Sequence, residues 1–336
     1  MRQLIQKLTT KAKPGKEEAD PEQGGEGGEG KGKKEKEGFF KSMLKDKAAQ
    51  KAFPVFWLIC VSMALFEYLM DMRSSSYEVA PTGAFFFELG VPMSLAIFFY
   101  VALSDPGKIP VRTKGHSGVE ELMKALDGGA PEGQVPDISR LCTTTWVLKD
   151  LRTKYCAQTG ACISEFDHYC VWLNTSIGKG NHRQFVCLAV TEWLTQVVHV
   201  YVCWCMARAL VPYQSFWGWI FAVATGYPLL LLIMLVQCLT IPWVAMLIIH
   251  QGRLVVMNLT TNEMMNMYRY DHFWVQKAVQ PGRVQKTYRN PFSKGSVLKN
   301  CIDFWWTRRR SEAVNWGDGG CAKGCCDHAH GAHKHQ

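Results

Sequence analysis

Residues 1–51 contain no apolar run of the kind a secretory leader carries, so no signal peptide is expected. With Arg2 in second place, N-myristoylation is not expected. The net charge is +9, yet no basic stripe interleaved with aromatics occurs. That lack excludes nucleic acid as the expected partner and leaves an anionic membrane surface. Regular cysteine spacing is missing too, so the thirteen cysteines do not read as a disulfide framework. Cys60, Cys187, Cys203, Cys205 and Cys238 lie inside apolar segments, where a thiol behaves as a small buried hydrophobe, and the remainder read as reduced thiols. No internal repeat is present.

Charge is nearly absent from four segments, and those segments define the molecule. Residues 52–70 and 84–103 are each about the 20 apolar residues that cross a bilayer. Residues 185–210 form a third, interrupted by Glu192 and His199, which are expected to face protein. The run 217–250 is too long for one straight span. Gly226 and Pro228 within it predict an interfacial lead-in followed by a tilted or kinked fourth span. The expected fold is therefore an all-α integral membrane protein, four helices with a polar, cysteine-rich loop between the second and third. Glu67 and Glu88 flank the short polar turn 71–83 and are expected at its interface.

The domain plan follows. Residues 1–50, rich in Gly, Glu and Lys, read as a disordered tail ending in basic residues Lys41, Lys45, Lys47 and Lys51. Spans 1 and 2 occupy 52–103, the loop 104–184 and spans 3 and 4 185–250. A polar C-terminal region covers 251–310, and a Cys/His-rich flexible tail 311–336. Lys and Arg fix the orientation. The 104–184 loop holds ten and 251–336 thirteen, against Arg73 alone in 71–83. Loop and termini are therefore expected in the cytosol. Phe304, Trp305 and Trp306, with Arg308, Arg309 and Arg310, suit a membrane-interface anchor. The tail with Cys321, Cys325 and Cys326 reads either as a weak metal or acyl carrier or as a plain flexible end.

Within the loop, Asp167-His168-Tyr169-Cys170 places carboxylate, imidazole and thiol within four residues. A thiol attacks as thiolate, and a neighbouring imidazole with an orienting carboxylate forms one at neutral pH. Alone the pattern is weak. Its setting, a polar island between membrane spans, puts the sulfur at a membrane surface.

The run from Cys142 to Phe185, with D-H-Y-C followed by V-W-L-N-T-S-I-G and N-H-R-Q-F, resembles the cysteine-rich core (about 140–185) of the DHHC protein S-acyltransferases, most of all the DHYC subgroup. Three further matches fall where that family has them: Asp105-Pro106-Gly107 after span 2, Thr260-Thr261-Asn262-Glu263 after span 4, and Asn290-Pro291-Phe292 with Gly295, Asn300 and Phe304. The resemblance implies acyl transfer from acyl-CoA, as co-substrate, to cysteines of membrane-associated proteins. Cys170 would be the nucleophile, His168 the base and Asp167 the orienting carboxylate. Golgi or other endomembrane is the implied location.

Lys149, Arg152 and Lys154 are candidate contacts for the CoA phosphates, the alternative being a positive-inside loop beside anionic lipid. Trp172 is a candidate for lining the acyl site or an interfacial anchor. Asn181 and Phe185 are expected to fix the loop onto span 3, and Thr260, Thr261 and Glu263 to pack against the catalytic loop. The family's two zinc sites would fall on Cys142, Thr145, Tyr155 and Cys162, and on Cys156, Thr159, Tyr169 and Ser176. Three of these eight positions retain a thiol and no His remains, so no well-formed zinc site is expected. A catalytically inactive adaptor is the alternative reading of the chain, and a metal or ion transporter a weaker one.

Overall fold

The computed structural model describes residues 47–110, 140–213, 215–280 and 283–307. The expected tail before residue 47, Arg308 to Arg310 and the Cys/His-rich end lie outside the described residues. Among the described residues, four helices are long and apolar enough to cross a membrane: Gln50–Val79, Pro81–Leu103, His182–Leu210 and Pro228–Met257.

The first comprises α1 (Lys47–Glu67), a π-helical turn Tyr68–Met72 and α2 (Arg73–Val79). The polar turn expected over 71–83 is thus mostly helix, and the chain breaks only at Ala80. Glu88 explains why. It accepts from Tyr68 Oη at 3.0 Å and Arg73 Nε at 2.9 Å, so the polar residues satisfy one another without leaving the helix. Pro81 opens α3 (Pro81–Leu103), where its missing N–H costs nothing.

α3 packs on α4 (His182–Leu210) so closely that a Cβ at Gly90 would overlap Thr195 Oγ1. Small residues at such a crossing let two spans approach where water supplies no driving force. The long fourth run divides at Tyr227, after α5 (Phe216–Gly226) and before α6 (Pro228–Met257), with Pro228 again at a helix start. α5 is the short lead-in, and α6 continues to Met257, beyond the expected end at 250. His199 is buried and bonds Gln237 of α6, so it faces protein.

At one end of the bundle the described residues of the 104–184 loop form short antiparallel strands, an addition to the all-helical expectation. β1 (Lys108–Ile109), β5 (Ala161–Ile163) and β4 (Lys154–Cys156) form one sheet in the order β1-β5-β4. β2 (Leu141–Cys142) pairs with β3 (Val147–Leu148), and β6 (His168–Cys170) with β7 (Thr175–Ile177).

Asp105-Pro106-Gly107 delivers span 2 into this assembly. Asp105 Oδ1 accepts from the Gly107 and Lys108 amides at 3.1 and 2.9 Å, and Gly107 has a φ of +97°. The Gly180 amide reaches the Pro106 carbonyl at 3.1 Å, and a Cβ at Gly180 would overlap the Asp105 carbonyl oxygen. Asn181 is fully buried. Its side chain accepts from the Gly178 amide at 3.0 Å and donates to the carbonyls of Ser176 (3.0 Å) and Val101 (3.5 Å), tying β7 to the end of span 2.

Beyond α6, Asn258 takes a left-handed φ of +50° as C-cap. The last carbonyls of α6 would otherwise be orphaned. Asn300 Nδ2 reaches Val256 O at 2.8 Å and Asn290 Nδ2 reaches Met257 O at 2.6 Å, which accounts for the N-P-F and Asn300 signature. α7 (Thr261–Asn266), a hairpin of β8 (Trp274–Gln280) and β9 (Arg283–Tyr288), and α8 (Val297–Trp306) complete the described chain. On α8 the expected aromatic anchor divides. Phe304 is buried against Val186 and Val255, and Trp306 is 73% exposed.

Candidate active site

Side chains two apart on a strand share a face, so β6 places His168 and Cys170 side by side and turns Tyr169 the other way. Pairing of His168 with Ile177 and Cys170 with Thr175 fixes that register. Cys170 is 8% exposed and sits among Phe98, Val101, Leu173, Ile177, Phe185 and Leu188. Trp57, Leu58 and Leu247 pack on the same cluster, so every one of the four spans contributes to it. Phe185 also meets the His168 ring edge-to-face at 5.1 Å.

Asp167 holds His168 Nδ1 at 2.7 Å. The carboxylate is completely buried, a state that requires several donors. Thr261 supplies two, its amide at 2.6 Å to Oδ1 and its hydroxyl at 2.9 Å to Oδ2. The Asn262 amide bonds the Asp167 carbonyl at 3.1 Å. Thr260 and Glu263 make this donor loop rigid through a capping box: the Glu263 amide reaches Thr260 Oγ1 at 3.2 Å and the Thr260 amide reaches Glu263 Oε2 at 2.8 Å. The Thr-Thr-x-Glu segment therefore packs on the loop as expected, with Thr261 bonded to the carboxylate itself.

Arg152 is not available to a phosphate. Its side chain is 1% exposed and forms a fork on Glu263, both bonds at 2.7 Å, with Asn258 at 3.4 Å and the Phe292 ring 4.2 Å beneath. Burial disfavours the guanidinium charge, and Glu263 outweighs it and raises its pKa. Lys154 is exposed and donates to Asn262 Oδ1 at 2.7 Å, and partial burial of its ammonium lowers its pKa. Lys149 is half-buried, and its amide bonds the Arg140 carbonyl. Trp172, 45% exposed in the β6–β7 turn, packs edge-to-face on Phe53 of the first span.

Burial opposes the charge of Asp167, and His182, His168 and the Thr261 amide together hold its pKa well below the usual carboxylate range. Burial likewise opposes a charged His168, yet bonds with Asp167 and Cys170 win and raise it to about 10. A raised histidine stabilises the fold fully below its unfolded value near 6.5, and that contribution disappears as pH climbs through about 10. Asp167 contributes above its ordinary value of 3.8, and its share is lost on acidification. The melting temperature in detergent is expected to fall between about pH 7 and pH 10, and His168→Asn to flatten that limb. An equal alkaline slope in the variant would refute this assignment.

The two quartets that the resemblance assigns to zinc do converge, but as hydrogen-bonded, apolar clusters. Thr145 Oγ1 lies 3.2 Å from Cys162 Sγ, and Cys142 and Tyr155 pack against them. Thr159 Oγ1 lies 2.5 Å from Ser176 Oγ and 3.5 Å from Cys156 Sγ, while the Tyr169 hydroxyl donates to Asn174 Oδ1 at 2.7 Å. Structural zinc wants four thiolate or imidazole ligands, and neutral hydroxyls already bonded to one another are poor substitutes. These residues do not fit the metal.

Sequence reasoning misses His182, Gln251 and Asn258: His182 falls inside N-H-R-Q-F without a role of its own, and the other two carry no local signal.

The family model for the DHHC palmitoyltransferases matches residues 136–268. Among curated proteins, palmitoyltransferase ZDHHC17 of Danio rerio is 32% identical over 226 residues, covering 64% of this chain and 33% of that protein. Palmitoyltransferase AKR1 of Yarrowia lipolytica is 26% identical over 212 residues, 61% of this chain and 27% of that protein. Palmitoyltransferase ZDHHC9 of Bos taurus is 26% identical over 261 residues, 74% of this chain and 67% of that protein. The chain thus spans about a third of the length of the first of these relatives.

Proposed function

Because residues 136–268 make this chain a member of the DHHC palmitoyltransferase family, we propose that it moves a long-chain acyl group from acyl-CoA to cysteines of membrane-associated proteins through a thioester on Cys170. What supports this most is one juxtaposition: a thiol beside an Asp-bound imidazole, within an apolar cluster drawn from all four spans. The hydrocarbon tail of the donor has lipid-like surroundings, and its water-soluble head meets the polar loop.

In the first step the proton shared by Cys170 and His168 rests on the imidazole, in keeping with its raised pKa, and the thiolate attacks the thioester carbonyl. The bond to CoA sulfur breaks, and CoA leaves as the thiol with that proton. In the second, an acceptor cysteine gives its proton to His168 and attacks the acyl group. The new thioester forms as the Cys170–acyl bond breaks, and His168 returns the proton to Cys170. Asp167 keeps Nδ1 of His168 protonated, so the other ring nitrogen faces the sulfur as base.

The density of Lys and Arg in the loop and C-terminal region supports a cytosolic site with both termini on that side. With Arg152 committed to Glu263, Lys154 and Lys149 are the remaining candidates for the CoA phosphates.

Purified protein incubated with palmitoyl-CoA should gain one acyl mass, removable by hydroxylamine, and Cys170→Ser should gain none. Wild type that stays unmodified, or a Cys170→Ser variant modified equally, would refute the transferase. Hydrogen bonds and apolar contacts occupy the positions of the family's zinc sites, so a strong chelator should leave melting temperature and secondary structure unchanged. The double variant Thr145→Cys/Tyr155→His, which completes a Cys3His set, should take up about one zinc per chain. Stoichiometric zinc in wild type by elemental analysis would overturn this.

A further inference from the structure

Asp167 is approached from a side that the transfer chemistry does not use. Gln251, near the end of α6, lies with Nε2 3.4 Å from Asp167 Oδ2. His182, the first residue of α4, lies with Nε2 2.8 Å from Gln251 Oε1 and 3.8 Å from Asp167 Oδ1. Both side chains are buried, and the His182 ring stands edge-on to Phe304 at 5.2 Å.

The chemistry fixes the protons. A carboxylate only accepts, so the amide of Gln251 must turn its NH2 to Asp167. Its oxygen then faces His182, and His182 Nε2 must carry a hydrogen. A relay from spans 3 and 4 thus ends on the carboxylate: His182 Nε2–H donates to Gln251 Oε1, and the Gln251 amide donates to Asp167 Oδ2, which also accepts from the Thr261 hydroxyl.

We propose that His182 and Gln251 are positioning residues for acyl-enzyme formation, with Gln251, oriented by His182, bracing Asp167 so that it holds His168 in line with Cys170. The inference rests on the transferase reading of Cys170. It makes the alignment of the base depend on the packing of spans 3 and 4, which also contribute Phe185, Leu188 and Leu247 to the apolar cluster around Cys170.

The test uses full-length protein in detergent. Alkylation of Cys170 by iodoacetamide is followed by peptide mass spectrometry from pH 6 to 10, beside acyl-enzyme formation with palmitoyl-CoA. His182→Ala and the near-isosteric Gln251→Met should each alkylate on the order of tenfold more slowly near neutrality. The gap should close above about pH 9, where a thiol ionises unaided. His182→Gln keeps a donor at the Nε2 position and should recover to within about twofold. Acyl-enzyme formation should follow the same order. Alkylation profiles matching wild type in both Ala and Met variants would overturn the proposal. So would His182→Gln as slow as His182→Ala with equal loss of melting temperature, since that marks packing alone. Wild-type protein that alkylates normally but never acylates would sink the transferase reading and leave the bracing of Asp167 standing.

Discussion

Asparagine at position 167 is expected to slow acyl-enzyme formation by about three orders of magnitude while Cys170 and His168 remain in place. The carboxylate can only accept, and it has donors on every side: His168 Nδ1 at 2.7 Å, the Thr261 amide at 2.6 Å and the Thr261 hydroxyl at 2.9 Å. An amide must turn an NH2 toward one of them. If it faces His168, the imidazole must shift its proton to the nitrogen that serves Cys170, and the base is lost. If it faces Thr261, the backbone amide there meets a donor and the loop is pushed away. The check is single-turnover acylation with palmitoyl-CoA, with circular dichroism confirming the fold. Acylation within tenfold of wild type would mean that Asp167 does not set the tautomer.

Glu263→Ala carries the second large effect, on stability. Arg152 and Glu263 are both almost wholly buried and meet through two 2.7 Å bonds. Removing one partner of such a pair leaves an uncompensated buried charge, at about 3–5 kcal/mol. The variant also frees the Thr260 amide, losing the capping box at roughly a further 1 kcal/mol. The companion experiment separates charge from packing. Arg152→Met/Glu263→Leu removes both charges and should recover most of the stability, because apolar replacement of a buried pair is often neutral. Thermal unfolding in detergent reads both. Glu263→Ala melting with wild type would show that Arg152 finds water.

The spans were legible because charge disappears from them, and their ends were misplaced where polar side chains satisfy each other inside helix. Asp71 and Arg73 look like turn residues, yet the π-helical turn carries the chain on to Val79. His168 and Cys170 could be read as neighbours because their spacing is local. Arg152 could not be read correctly. An arginine in a polar loop looks available until Glu263, 111 residues later, is seen to enclose it. Gln251 was hidden for the opposite reason, since a lone amide near the end of an apolar run gives no sign that Asp167 lies across from it. The strands of the loop are two or three residues long, too short for alternation to register.

Thr261 comes after the last span, and Asp167 before the third. During synthesis the thiol, its imidazole and all four helices therefore exist before the strap that aligns them has been made. A chain ending at Met257 would hold the thiol, the imidazole and the four spans, and would lack both Thr261 donors to Asp167. On the transferase reading, alignment of the base therefore depends on a segment translated after every span.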